Sequence, residues 1–167
     1  MLRDRIHFRM TALVHETLYG LIRDPYEPLR EAGLRSGQRI LEVGCGPGFF
    51  TLPAAKIVGQ GGSVTSLDVS PTAVAHVQQK VEEAGVTNVE VMLANAAESG
   101  LPGKSFDLVF VFGLGHVVGD LGDIWRELHR LLRPGGVLSI EGRLRPPSAL
   151  FRLREHSGRI ARFSKTG

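Results

Sequence analysis

The sequence predicts a doubly wound α/β domain, a mostly parallel seven-stranded sheet that ends in an antiparallel hairpin. Three observations carry that expectation. Short apolar runs alternate with helical patterns through most of the chain. One run, Arg39-Ile40-Leu41-Glu42-Val43, leads directly into Gly44-Cys45-Gly46-Pro47-Gly48 and a further helical pattern, which reads as strand, glycine loop and helix of nucleotide-binding type. Near the end the alternation breaks, and two short strand candidates flank Glu155-His156-Ser157-Gly158.

The elements follow in order. Residues 8–23 place Met10, Leu13, Val14, Leu18, Leu21 and Ile22 near helical spacing on one face. Asp24-Pro25 ends that pattern, and a short helix from Tyr26 to Ala32 stops at Gly33. The N-terminal helix would serve as a lid over the ligand site, as plain packing or as a dimer contact. Ile40 to Val43 is strand β1. A helix over Thr51 to Val58 follows the glycine loop, with Pro53 acceptable only in its first turn. Ser63 to Leu67 is β2 and ends at Asp68. Ser70-Pro71 starts a helix with a capping hydroxyl and a proline at the first helical position; Val74, Val77 and Val81 form its buried stripe. Val89 to Leu93 is β3. Phe106 to Phe112 is almost unbroken in apolar character and is the central strand β4. A helix starting at Gly119 or Asp120 sets Leu121, Ile124, Trp125, Leu128, Leu131 and Leu132 inward. Arg133-Pro134-Gly135-Gly136 is a turn before β5, Val137 to Ile140. Leu150 to Arg154 and Arg159 to Phe163 are β6 and β7.

At 167 residues, 43% apolar and 22% charged, the chain reads as one soluble globular domain. Cys45 is the only cysteine, which excludes an internal disulfide scaffold and a multi-cysteine metal site; no metal is expected. No apolar run reaches the roughly 18 residues of a membrane span, and Met1 to Met10 do not resemble a secretory signal, so the expected location is cytoplasmic. The net charge of +3 is uneven: residues 141–167 hold seven basic and two acidic side chains, residues 40–140 six basic and ten acidic. A basic tail suits an acidic partner such as RNA, or is a solvated hairpin. The lack of interleaved aromatic residues favours the hairpin and argues against nucleic acid as a partner.

The loop spacing is G-x-G-x-G, not the G-x-G-x-x-G that faces a dinucleotide pyrophosphate. Glu42, two residues earlier, would repel a pyrophosphate but suits a ligand with an ammonium and a sulfonium. Asp68, 20 residues after Gly48, can accept from two ribose hydroxyls, a feature common to both cofactor classes.

Four segments together resemble the class I S-adenosylmethionine-dependent methyltransferases, which are Rossmann-like in fold. Glu42 to Gly48 resembles their first motif, Ser66-Leu67-Asp68-Val69-Ser70 their acidic second-strand motif, Asn95 to Asp107 the segment leading into β4, and Leu131 to Leu138 the turn before β5. The small-molecule enzymes of ubiquinone and menaquinone biosynthesis are the most similar branch. The resemblance implies S-adenosyl-L-methionine as cofactor. It implies that Gly44, Gly46 and Gly48 admit the methionine portion, and that Glu42 fixes the loop or the ammonium. Asp68 would hold the ribose, Val69 pack on adenine, and Asn95 and Ala96 meet the adenine edge. Phe112 and Gly113 would close the floor. The family often carries Asp at the Asn95 position; Asn can still accept through its carbonyl oxygen. On this reading residues 1–36 are an N-terminal helical segment, 37–142 the cofactor-binding core and 143–167 a shortened C-terminal hairpin.

Methyl transfer from a sulfonium needs alignment and exclusion of water, and a general base only where the acceptor must lose a proton. The end of β4, Phe112-Gly113-Leu114-Gly115-His116-Val117-Val118, lacks the Asn/Asp-Pro-Pro-aromatic signature linked to exocyclic amino acceptors on bases and glutamine. His116 is the one titratable group there: a base, a substrate-orienting group, or a packed histidine, the commoner outcome. Arg143 and Arg145 would bind an acidic acceptor or stay solvated, and His129 is structural. Only residues 142–149 separate β5 from β6, where the family places a full helix, and Pro146-Pro147 opposes one. A sheet face beside β5 is therefore expected to need the N-terminal helix or a second subunit of a homodimer as cover, or to stay open. The expected function is methyl transfer to a small molecule. The alternatives are a non-catalytic domain binding S-adenosylmethionine or S-adenosylhomocysteine, and an RNA methyltransferase using the basic tail.

Overall fold

A computed structural model describes residues 24–112 and 120–167. The expected helix over residues 8–23, and Gly113 and His116 after β4, lie outside the described residues. Among those described, the elements in order are α1 (Tyr26–Glu31), β1 (Arg39–Val43), α2 (Thr51–Val58), β2 (Ser63–Asp68), α3 (Pro71–Glu83), β3 (Val89–Leu93), β4 (Phe106–Val111), α4 (Leu121–Leu131), β5 (Leu132–Glu141), β6 (Phe151–Ser157) and β7 (Ile160–Lys165). The seven strands form one sheet in the order β3-β2-β1-β4-β5-β7-β6. The first five run parallel, while β7 pairs antiparallel with both β5 and β6. The order reverses between β1 and β4, so their carboxyl ends flank the crevice where open α/β sheets bind ligands.

Local chemistry explains the helix starts. Ser70 caps α3 by accepting from the Ala73 amide, with Pro71 behind it. Asp120 caps α4 by accepting from Gly122 and Asp123. Pro53 sits in the first turn of α2, where its missing N–H costs nothing. Four expectations change, two of them in extent: Leu132 opens β5 instead of closing α4, and Glu155, His156 and Ser157 continue β6 instead of forming the hairpin loop. Leu121 opens α4 at 40% exposure, because one residue past the cap points outward; Ile124, Trp125, Leu128 and Leu131 carry the buried stripe. The Arg133–Gly136 turn lies within β5 as an irregularity: pairing passes from Phe106↔Leu132 to Leu108↔Val137.

Strand alternation splits the core in two. Leu41, Val43, Val109, Val111 and Leu138 pack under α4, with Trp125 and Leu128. Ile40, Leu108, Phe110 and Phe112 pack on the other face against α1 and α2. The face beside β5 is covered from within the chain. Leu29 and Ala32 are fully buried there, and Ser139 of β5 donates to the Ala32 carbonyl at 2.7 Å. Ser157 at the end of β6 donates to Glu31 at 3.1 Å. Asp107, the structural start of β4, accepts from the Arg39 amide and pairs with Arg133. Among the described residues no helix is long and apolar enough to cross a membrane.

Candidate functional site

Glu42 is 3% exposed inside the sheet, an arrangement that costs free energy unless partners answer the charge. Its register partner on β2 is Ser66, and Thr51 opens α2 above it. Both hydroxyls donate to Glu42 Oε2 at 2.6 Å. Oε1 accepts no hydrogen bond from any described residue. Burial is the main force on this group and pushes its pKa up to about 7, against the two hydroxyl donors.

The glycine loop follows. Gly44 and Cys45 donate to the Leu67 carbonyl at 2.8 and 3.1 Å, which ties the loop to the end of β2. Asp68 completes the tie: Oδ2 accepts from the Gly46 amide and Oδ1 from the Ser70 amide, both at 2.9 Å. Each oxygen keeps a second lone pair for a ligand. Lys80 reaches across from α3 to the carbonyls of Pro47 and Gly48 at 3.2 and 3.5 Å. The glycines differ in purpose. A Cβ on Gly48 would meet Val77 Cγ2 at 2.9 Å, so this residue lets the loop lie on α3; a Cβ on Gly46 would meet nothing within 4 Å. Both have positive φ, +79° and +50°. Cys45 is buried, and burial, then Glu42 and Asp68, drive its thiol pKa upward, as suits a residue that is not a nucleophile.

A cavity of about 500 Å³ opens beside this loop. Glu42, Gly44, Gly46 and Phe112 line it, together with Phe49, Phe50, Phe110 and the α1 segment. Phe50 meets Phe112 edge-on at 5.2 Å between centroids, and Phe112 is only 5% exposed. Asp68, Val69, Asn95 and Ala96 lie off the cavity, on the β2–β3 side. Val69 is 46% exposed at the end of β2. Asn95 is exposed, and its Oδ1 accepts from the Ala97 amide at 2.9 Å. The Ala96 side chain belongs to the core under α4. That segment is anchored by Ser99, which donates through both backbone and hydroxyl to Glu127. Chiefly through its hydrogen bond with Arg130, Glu127 is held down at a pKa of about 2.

Other candidates fall elsewhere. His129 Nε2 lies 2.9 Å from the Thr166 carbonyl and its ring stands edge-on to Phe151, a structural position. Arg145 is turned onto the Gly142 and Leu144 carbonyls of its own loop, and Arg143 is exposed. Ser66, Thr51 and Lys80 were not singled out from the sequence. The signal for the first two was a hydroxyl at an otherwise apolar position; for Lys80 there was none. Glu27, Glu31 and Glu141, also on the cavity, were likewise missed.

A family model described as a methyltransferase domain matches residues 40–136. Nocamycin O-methyltransferase of Saccharothrix syringae is 36% identical over 114 residues, which span 68% of this chain and 41% of that protein. A demethylmenaquinone methyltransferase of Listeria monocytogenes is 37% identical over 114 residues, 68% of this chain and 48% of that protein. The chain thus spans less than half the length of these curated relatives. A solved structure of a SAM dependent methyltransferase from Aquifex aeolicus superposes with a TM-score of 0.82 at 23% identity, covering 98% of this chain and 99% of that one. At that identity the likeness is one of fold, and it extends to the short C-terminal hairpin.

Proposed function

The chain belongs to the methyltransferase domain family, and we propose that it is an enzyme that binds S-adenosyl-L-methionine and transfers the methyl group to a small-molecule acceptor by direct displacement. One arrangement carries the reading. The glycine loop, with open space over Gly46, is flanked by two carboxylates with unused acceptor capacity, at the edge of a cavity between the ends of β1 and β4.

The residues fit the cofactor. Glu42 Oε1 is an acceptor suited to an ammonium, and the spare lone pairs of Asp68 suit two ribose hydroxyls. Gly46 leaves room for close backbone approach. Val69, Asn95 and Ala96 would flank the adenine, and Phe112 would close the floor. When bound, the cofactor supplies an electrophilic methyl group on a sulfonium. The chain's own task is to hold the acceptor in line and keep water out, and Phe49, Phe50, Phe110 and Phe112 form an apolar wall for that. His116 stays a proposed base or orienting residue.

A cavity of about 500 Å³ is of small-molecule size. The basic hairpin favours this reading over RNA, since several of its cations are engaged internally: Arg159 with Glu141, Arg162 with Glu155, and Lys165 with the Leu132 carbonyl. A homodimer is not needed to cover the sheet face beside β5, which α1 occupies. Calorimetry with S-adenosylmethionine, S-adenosylhomocysteine and NAD tests the cofactor; the first two should bind and NAD should not. Labelled-methyl transfer into a metabolite extract, with and without nuclease, tests the activity. Binding of NAD alone, or nuclease-sensitive labelling only, would overturn the proposal.

A further inference from the structure

Among the described residues, the ionisable lining of the cavity is nearly one-signed. Asp24, Glu27 and Glu31 from the α1 segment, Glu42 from β1 and Glu141 from β5 contribute carboxylates. Among the described lining residues Arg159 is the only cation, and it lies 3.5 Å from Glu141. This opposes the chain's net charge of +3, so composition does not explain it. A second observation points to a ligand: Glu42 is 3% exposed, lines the cavity, and directs both of its hydrogen bonds through Oε2, leaving Oε1 without a donor among the described residues. The third is apolar. Phe50 stands edge-on to Phe49 at 4.8 Å and to Phe112 at 5.2 Å, and all three rings line the same space.

One carboxylate suffices for the ammonium of the cofactor. Those of the α1 segment line the same cavity on a different element from the glycine loop, and they select by chemistry. We propose that the acceptor is an amine on a compact apolar body, recognised by the carboxylates of the α1 segment and by the phenylalanine wall. This rests on the methyl-transfer reading and narrows it. The amine binds as its ammonium and gives one proton to solvent. Its nitrogen lone pair then forms the new N–C bond while the S–C bond breaks, and that electron pair stays on sulfur, which becomes a neutral thioether. Positive charge moves from sulfur to nitrogen, and the methylated ammonium is the product. Carboxylates near the nitrogen favour the transition state because charge develops there. Aromatic faces favour the same cation. The same carboxylates oppose a phenol or enol acceptor, because a negative surround disfavours ionisation to the attacking anion.

The test uses three probes with one body and three charges: 2-phenylethylamine, 2-phenylethanol and phenylacetate. Each is titrated calorimetrically into the full chain with and without saturating S-adenosylhomocysteine. The amine should bind at least about tenfold more tightly than the alcohol, phenylacetate should not bind, and added salt should weaken the amine alone. Glu27→Gln with Glu31→Gln should weaken the amine by about tenfold, as expected of losing two partly exposed ion pairs. The melting temperature of this double variant should stay unchanged, because the amide oxygen that replaces the Glu31 carboxylate can still accept from Ser157. Equal or tighter binding of the alcohol or phenylacetate, an unchanged amine affinity in the double variant, or no amine binding would each overturn the proposal. The titrations also report S-adenosylhomocysteine binding. Its loss sinks the methyl-transfer reading, whereas its retention with the wrong probe preference sinks only the amine.

Discussion

The two sides of the crevice are built differently. On the β1–β2 side, polar groups are answered by other groups of the protein: Glu42 by Ser66 and Thr51, Asp68 by the amides of Gly46 and Ser70, and the Pro47 and Gly48 carbonyls by Lys80. On the β4–β7 side are Phe110 and Phe112, a rim of carboxylates, and a short helix brought in from before the sheet, while Phe49 and Phe50 close the wall from the end of the glycine loop. The first side is a network fixed before any ligand arrives, as suits an invariant cofactor. The second meets the cavity with apolar rings and with carboxylates, two of which are tied to the hairpin, Glu31 by Ser157 and Glu141 by Arg159. Substitutions on the first side should therefore change stability and cofactor affinity together, and those on the second should change acceptor choice alone.

The largest effect is expected at Gly48. Its φ of +79° and the 2.9 Å approach of a Cβ to Val77 act in the same direction. Gly48→Val should cost about 2–4 kcal/mol of folding stability, from backbone strain together with overpacking. Denaturant unfolding measures this. Stability equal to that of the parent chain would show that the loop is not held against α3.

The next effect concerns Glu42 and has a definite pH sign. Its folded pKa of about 7 lies above the ordinary 4.5. A raised carboxylate binds its proton more tightly in the folded chain, so its contribution is fully present below about pH 4.5 and is lost as pH rises through about 7. The loss is on the order of 3 kcal/mol at most, and Glu42→Gln should flatten that part of the stability–pH curve. Thr51→Val removes one donor from the buried carboxylate and should destabilise by about 1–3 kcal/mol at pH 8, but less at pH 5. Equal costs at the two pH values would count against a charged Glu42.

Much of the cofactor side was legible in the sequence for local reasons. Strand, glycine loop and helix succeed one another within Arg39 to Val58, Ser70-Pro71 announces α3, and Asp68 ends an apolar strand. These signals reside in neighbouring residues. Cross-strand and cross-element partners were not legible: Ser66 matters because register sets it opposite Glu42, and Lys80 because α3 lies over the loop 32 residues away. The acceptor side was least legible. Nothing local in the sequence marks Glu27 and Glu31, which reach the cavity only because α1 lies against β5 and the end of β6. The missing helix between β5 and β6 was visible as a gap, but the expected covers were the helix over residues 8–23 or a second subunit, and α1 was not among them.

Lys80→Met isolates the support of the loop. It removes the donor to the Pro47 and Gly48 carbonyls and a positive neighbour that lowers the Glu42 pKa. Affinity for S-adenosylhomocysteine should fall by about 0.5–1.5 kcal/mol, and Lys80→Arg should restore part of it. The affinity of 2-phenylethylamine should not change, because the α1 carboxylates are on the other wall. A parallel loss of both ligands would merge the two sides into one network.

The smallest effect is expected at Asn95, at the outer edge of the cofactor side. Its Oδ1 already accepts from the Ala97 amide, so the turn does not require the amide nitrogen. Asn95→Asp keeps that acceptor, adds a second oxygen and replaces two donors with negative charge. If an exocyclic amine of adenine is read here, the variant should bind S-adenosylhomocysteine more tightly by about 0.5 kcal/mol, since a hydrogen bond to a charged acceptor exceeds a neutral one even at an exposed site. Folding stability should stay within about 0.5 kcal/mol of the parent, as for most exposed substitutions. An unchanged affinity would leave Asn95 as a turn residue only and place adenine recognition on Val69 and Ala96.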